Sequence, residues 1–178
     1  MIGLKRGSVK LVTHQDQWNN EAKRTIKELK DLLGNTAIDI QHIGSTAIAS
    51  IHAKPIIDIA IGVYNLIDII PHIDVLGKNG FIFRGEDVPN QVLFVKGDFE
   101  KEFRTHHIHV MKWNGTEWNN YINFRDYLNA FPEKAMIYDE LKQELAIQFP
   151  KERRQYTEGK QLLIDEFLEE ARLWRAKR

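Results

Sequence analysis

Apolar residues recur at Trp18, Ala22, Ile26, Leu29 and Leu33, a spacing of three and four that predicts an amphipathic helix ended by Gly34. A short apolar strand is expected before it, around 9–12. The pattern then changes to alternation in AIDIQHIG and to the nearly unbroken β-branched run PIIDIAIGV, the signature of a strand buried on both faces. Between these two, 45–51 reads as a short helix. Residues 67–76 read as helical with Pro71 best suited to a first turn, and GKNG closes that segment. Further strands are predicted at FIFRG, QVLFVKG and THHIHVMKW, separated by EDVPN and DFEKEFR.

From Glu117 onward the period is helical. One segment covers 118–129, and a second opens on Pro132 and carries Tyr138, Leu141, Leu145 and Phe149. The last carries Leu163, Phe167, Ala171 and Trp174. No repeat, low-complexity stretch or Gly/Ser linker interrupts the chain. Residues 1–178 are therefore expected to form one domain, an α/β core over 1–115 with a helical part over 116–178 packed on it.

Composition narrows the chemistry. Lysine plus arginine and aspartate plus glutamate number 25 each, so no overall field draws the chain to nucleic acid or an anionic membrane, and any anion must be held by a local site. The absence of cysteine excludes disulfides, thiolate metal sites and a cysteine nucleophile. MIGLKRGSVKLV lacks the apolar core of a signal peptide, and no apolar run approaches a membrane span, so a soluble, cytoplasmic protein is expected.

Several residues stand out against this background. Gly44-Ser45, after a predicted strand, can point backbone N–H groups and the Ser45 and Thr46 hydroxyls at a phosphate, although the same pattern serves as an ordinary turn and helix cap. Asp58 lies in an apolar strand, where its desolvation calls for a hydrogen-bonding partner, an ion pair or a cation. A second carboxylate two residues on would share its face, as two-metal phosphoryl-transfer sites require, but that position is Ala60. In RTHHIHV, His107 and His109 project to one face and His106 to the other; His-x-His suits two metal ligands, a base beside a phosphate, or histidines bonded to their neighbours. Lys54 and Lys96 stand at strand ends from which each can reach a phosphate or simply meet solvent. Tyr156 and Lys160, one turn apart on the last predicted helical segment, can present a hydroxyl and an ammonium together. Arg125, Asp126, Trp113, Trp118 and Tyr127 read as packing and surface pairing.

Taken in order, VKLVTHQDQW, HIGSTAIASIHAKPIIDI, HHIHV, EWNNYINFRDYL, PEKAMIYDELKQELA and YTEGKQLLIDEF resemble the GrpB family, which is placed in the nucleotidyltransferase fold superfamily. The resemblance covers nearly the whole chain. It implies an α+β fold, a nucleotidyltransferase-like mixed β-sheet flanked by helices with a helical C-terminal region. It further implies that the Gly44-Ser45 turn holds the phosphates of a nucleotide; read from their own positions, Thr46, Lys54, Lys96, Tyr156 and Lys160 are expected to help bind that nucleotide or another phosphorylated small molecule. The resemblance makes Asp58 a ligand of a divalent metal, and the residue pattern adds His107, His109 or Glu86 as candidates to hold Mg²⁺ or another divalent metal with it and support nucleotidyl transfer. The alternative is a binding module without transferase chemistry. Two departures bear on this choice: Ala60 stands in place of a second acid, and Gln91 and Val92 stand where the family commonly has basic residues.

Overall fold

The computed structural model describes residues 1–178. Six strands form one mixed sheet: β1 (Leu4–Lys5), β2 (Asp39–Ile43), β3 (Ile57–Val63), β4 (Ile82–Val88), β5 (Gln91–Asp98) and β6 (Phe103–Lys112). The order is β2-β3-β6-β5-β4, with β1 pairing the start of β6. Only β3 and β6 run parallel; the other neighbours are antiparallel. The helices are α1 (Asp16–Leu33), α2 (Ile73–Lys78), α3 (Thr116–Ala130), α4 (Pro132–Gln148), α5 (Arg153–Glu158) and α6 (Gln161–Ala176). This is the α+β architecture that the sequence resemblance implies, with the helical C-terminal region in place.

Side-chain alternation along β3 divides the molecule into two layers. Ile57, Ile59, Ile61 and Val63 point to one face and, with Phe94 and Ile108, bury the apolar stripe of α1 formed by Trp18, Ala22, Leu29 and Leu33. Fully burying each such large apolar side chain contributes about 1.5 to 3 kcal/mol. The opposite face carries Asp58 and Ala60. Its far end is closed by Trp118 of α3 against Ile43, Ala60 and Met111. Further helical packing joins α3, α4 and α6 to the segment after β2, through Tyr127, Leu128, Tyr138, Phe167, Ile48 and Ile51. Covered at one end only, the second face leaves Asp58, His107 and His109 at the floor of a cavity.

Four local expectations are corrected. The stretch 9–12 is not a strand: Val12 makes only an isolated two-bond bridge to Ala53. The segment 45–51 forms a single 3₁₀ turn, Ser45–Ala47, because the Asn129 side chain donates to the Ala47 carbonyl at 3.0 Å and accepts from the Ala49 N–H at 3.3 Å, satisfying backbone that a longer helix would have paired internally. Pro71 lies late in a 3₁₀ segment, Leu66–His72, and α2 begins only at Ile73. In EDVPN, Glu86 to Val88 belong to β4, so the loop is only Pro89-Asn90, with Asn90 at φ 64°.

Candidate functional site

Parallel pairing of β3 and β6 sets Asp58 beside His107 and Ala60 beside His109, all on the cavity face. His107 Nδ1 and His109 Nε2 approach the same oxygen, Asp58 Oδ1, at 3.3 and 3.4 Å. Burial alone would raise the Asp58 carboxyl, but the hydrogen bonds and charge of the two imidazoles outweigh it and hold it well below the usual carboxylate range. Gly44 makes this packing possible. Its φ is 70°, and a Cβ there would fall 2.6 Å from Asp58 Oδ2. Gly44→Ala is accordingly expected to cost about 2 kcal/mol in chemical denaturation, from left-handed backbone strain together with the clash against Asp58.

The cavity above this cluster is about 500 Å³. Ser45 lines its mouth, and Tyr138 of α4 lies beside it; burial, moderated by the Ser45 hydroxyl, pushes the Tyr138 phenol up to about 12. Thr46 lies at the same wall but is fully buried and bonded to His42 Nε2 at 2.9 Å, which commits its hydroxyl locally. Burial pushes His42 down to about 4, so it is neutral at pH 7. Lys54, Lys160 and Arg153 line the same cavity. The ammoniums of Lys54 and Lys160 rest over one ring, that of Tyr156, at 5.4 and 4.5 Å from its centre. Burial and then neighbouring positive charge lower both lysines, Lys160 to about 7 and Lys54 to about 8. Neither forms an ion pair, unlike Lys96 and Lys142, which face Glu28 and Asp139.

The structure therefore brings together Gly44, Ser45, Thr46, Lys54, Asp58, His107, His109, Tyr156 and Lys160 around one space. Lys96 and Glu86 are elsewhere. Lys96 is in register with His106, so it projects to the α1 face, bonds both oxygens of Glu28 at 3.1 Å and covers the Phe81 ring. His106 on that face is bonded to Thr25 and Glu21. Glu86 is exposed and accepts the Asn90 N–H of its own hairpin at 3.0 Å. Tyr156 and Lys160 do not share a helix: Tyr156 is in α5, and Lys160 stands at the start of α6. Tyr156 is 1% exposed, lines the cavity, and its ring lies under the two ammoniums. Arg125 and Asp126 pair with each other and, through Asp126, with Arg175, outside the cavity.

Sequence reasoning overlooked Arg153, Tyr121, Phe124 and the use of Gln91. Gln91 is 2% exposed, donates to His109 Nδ1 at 3.0 Å and also reaches Asp87. The residue read as a missing basic group is thus the partner that orients His109. Its signal was its parity: as the first residue of β5 it stands on the His109 face.

The mixed sheet flanked by helices has a nucleotidyltransferase-like fold. The fold of the Cid1 poly(U) polymerase, determined with MgGTP bound, matches with a TM-score of 0.54 at 12% identity over 75% of this chain and 44% of that one. The chain belongs to the GrpB family, whose profile, described as GrpB protein, matches residues 8–170. It is 38% identical to the glutamate-rich protein GrpB of Alkalihalophilus pseudofirmus, covering 96% of this chain and 99% of that one. The crystal structure of the conserved protein GrpB from Enterococcus faecalis superposes with a TM-score of 0.84 at 28% identity, covering 93% and 99% of the two chains. No helix is long and apolar enough to cross a membrane.

The paired Mg²⁺ ions implied by nucleotidyltransferase folds do not fit these residues. Ala60, where a second carboxylate would stand, is fully buried against Ile43, Met111 and Trp118. Glu117 reaches the rim but is bonded to Asn90, and the remaining donors beside Asp58 are imidazoles, which hard Mg²⁺ disfavours.

Proposed function

We propose that this protein binds a nucleotide or another phosphorylated small molecule in the cavity between the sheet and the C-terminal helices. The observation that carries this reading is the cationic wall. Lys54 and Lys160 are largely buried, lack ion pairs, repel one another and face a space of about 500 Å³. Two desolvated ammoniums of one sign are stabilised when an anion enters between them, and Arg153 adds a third cation. The Gly44-Ser45 turn lines the same space and offers the polar contacts a phosphate takes. Tyr121, Phe124 and Ile164 supply an apolar wall for the rest of the molecule.

Ala60 favours binding over two-metal nucleotidyl transfer, because the face of β3 that would carry the second acid is instead closed by Trp118. Calorimetric titration of metal-free protein with a nucleoside, its monophosphate, its triphosphate and inorganic phosphate tests the reading. The phosphorylated compounds are expected to bind and the nucleoside to bind far more weakly. Equal affinity for nucleoside and nucleotide, or no binding by any phosphorylated probe, would overturn it.

A further inference from the structure

We infer that Asp58, His107 and His109 form a centre for a single borderline divalent transition-metal ion, of the class of Zn²⁺, Co²⁺ and Fe²⁺. The distances carry this inference. At 3.3 and 3.4 Å the two imidazole nitrogens lie farther from Asp58 Oδ1 than the preferred range for N–H···O bonds. They match the edge of a coordination shell: bonds of about 2.1 Å at tetrahedral angles put neighbouring donors roughly 3.4 Å apart. All three donor atoms lie within 4.8 Å of one another. They come from two adjacent parallel strands rather than from a loop, so the spacing is built into the sheet. One carboxylate and two imidazoles suit a borderline ion, and three protein donors leave at least one position open to the cavity.

Gln91 supplies the adjustment this requires. Without metal its amide N–H donates to His109 Nδ1, so the imidazole proton sits on Nε2 and faces Asp58. Coordination through Nε2 moves that proton to Nδ1. A half-turn of the Gln91 amide then presents Oε1 to it, giving up the 3.2 Å contact with Asp87. No proton is gained or lost by His109 in this exchange. Lys54 and Lys160 line the same cavity as the three donors. The ligand side of the inference therefore rests on the phosphate-binding reading: a bound phosphate oxygen completes the coordination shell, and metal and phosphate raise one another's affinity.

Titration of the whole protein with Co²⁺, followed by its visible absorption, tests the metal alone. Expected is one equivalent per chain, bound at least roughly 100-fold more tightly than Mg²⁺ in competition, with His107→Ala and His109→Ala each weakening it by about 100-fold and Gln91→Leu by about 10-fold. Paramagnetically shifted imidazole N–H resonances from two histidines in the unsubstituted protein give the same answer without depending on a variant's folding. Absence of those resonances, or Co²⁺ affinity no better than that for Mg²⁺, would overturn the metal centre. Phosphate that binds metal-free protein while Co²⁺ gives no signature would remove the metal and leave the binding reading standing. The full Co²⁺ signature with no response to phosphate would uphold the centre and remove the ligand reading.

Discussion

Asp139→Ala is expected to destabilise the protein by about 3 to 5 kcal/mol, the usual cost of leaving a buried charge without its partner. Asp139 lies on α4 and is 7% exposed. Its Oδ1 accepts the His52 backbone N–H at 2.7 Å, and its Oδ2 accepts from His52 Nδ1 at 2.7 Å and Gln143 Nε2 at 3.0 Å. Lys142, 1% exposed, lies 3.6 Å from the same carboxylate and donates to the His52 carbonyl. Burial already lowers Lys142 to about 8, with Asp139 opposing the shift, so removal of the carboxylate drives the lysine toward its neutral form and limits the loss. Urea denaturation followed by tryptophan fluorescence measures the effect. The double change Asp139→Leu with Lys142→Met should recover the part of the cost that comes from the unpaired Lys142 charge, but not the part that comes from the His52 N–H and carbonyl, which it leaves without these partners. A single-variant cost below 1 kcal/mol would contradict the assignment. Because this network holds the chain just before Lys54, Asp139→Ala should also weaken anion binding.

That network shows where the sequence was legible and where it was not. Helix α1 could be read because one apolar stripe repeats through 18 residues with nothing competing. For α4 the buried stripe is Ala135, Tyr138, Asp139, Lys142 and Leu145. The spacing is helical, but two of its members are charged, so an apolar-only reading shifted the stripe toward Leu141 and missed the pair. The separation of His106 from His107 and His109 followed from alternation alone. The convergence of Asp58 with the histidines needed the β3–β6 register across 49 residues, which no local pattern encodes. Lys96 was misplaced for a related reason: alternation along β5 sets it on the face opposite Gln91, but only the register with His106 shows that this is the face α1 covers. Gly159 and Lys160 lie within a continuous helical period yet separate α5 from α6, and that break is what aims Lys160 back over Tyr156.

Replacing both Lys54 and Lys160 by methionine is expected to stabilise the ligand-free protein while reducing phosphate-ligand affinity by at least about 100-fold, since each charge-assisted contact is worth roughly 1.5 to 3 kcal/mol. Methionine retains the apolar stem over Tyr156 and removes the desolvated charge. The pH dependence separates this from a packing effect. Burial, then the Lys54 charge, lowers Lys160 to about 7 in the folded state, against about 10.4 in an unfolded chain. Between those values the unfolded chain holds more protons, so the stability of the ligand-free protein rises as pH climbs from about 7 toward 10. Below about pH 7 both states carry the charge, and the full penalty of burying it remains. The double variant should lose the Lys54 and Lys160 share of this rise and keep the smaller one that Lys142, lowered to about 8, contributes. An anion raises both lysines toward their ordinary values, so ligand binding at pH 8 should take up protons, visible as a calorimetric enthalpy that varies with the ionisation enthalpy of the buffer. A binding enthalpy independent of buffer, or an unchanged pH slope in the double variant, would show that the two ammoniums do not meet the ligand's charge. The opposing effects on stability and affinity have one physical cause: the cavity keeps two ammoniums of one sign out of water, and only a ligand anion offsets that cost.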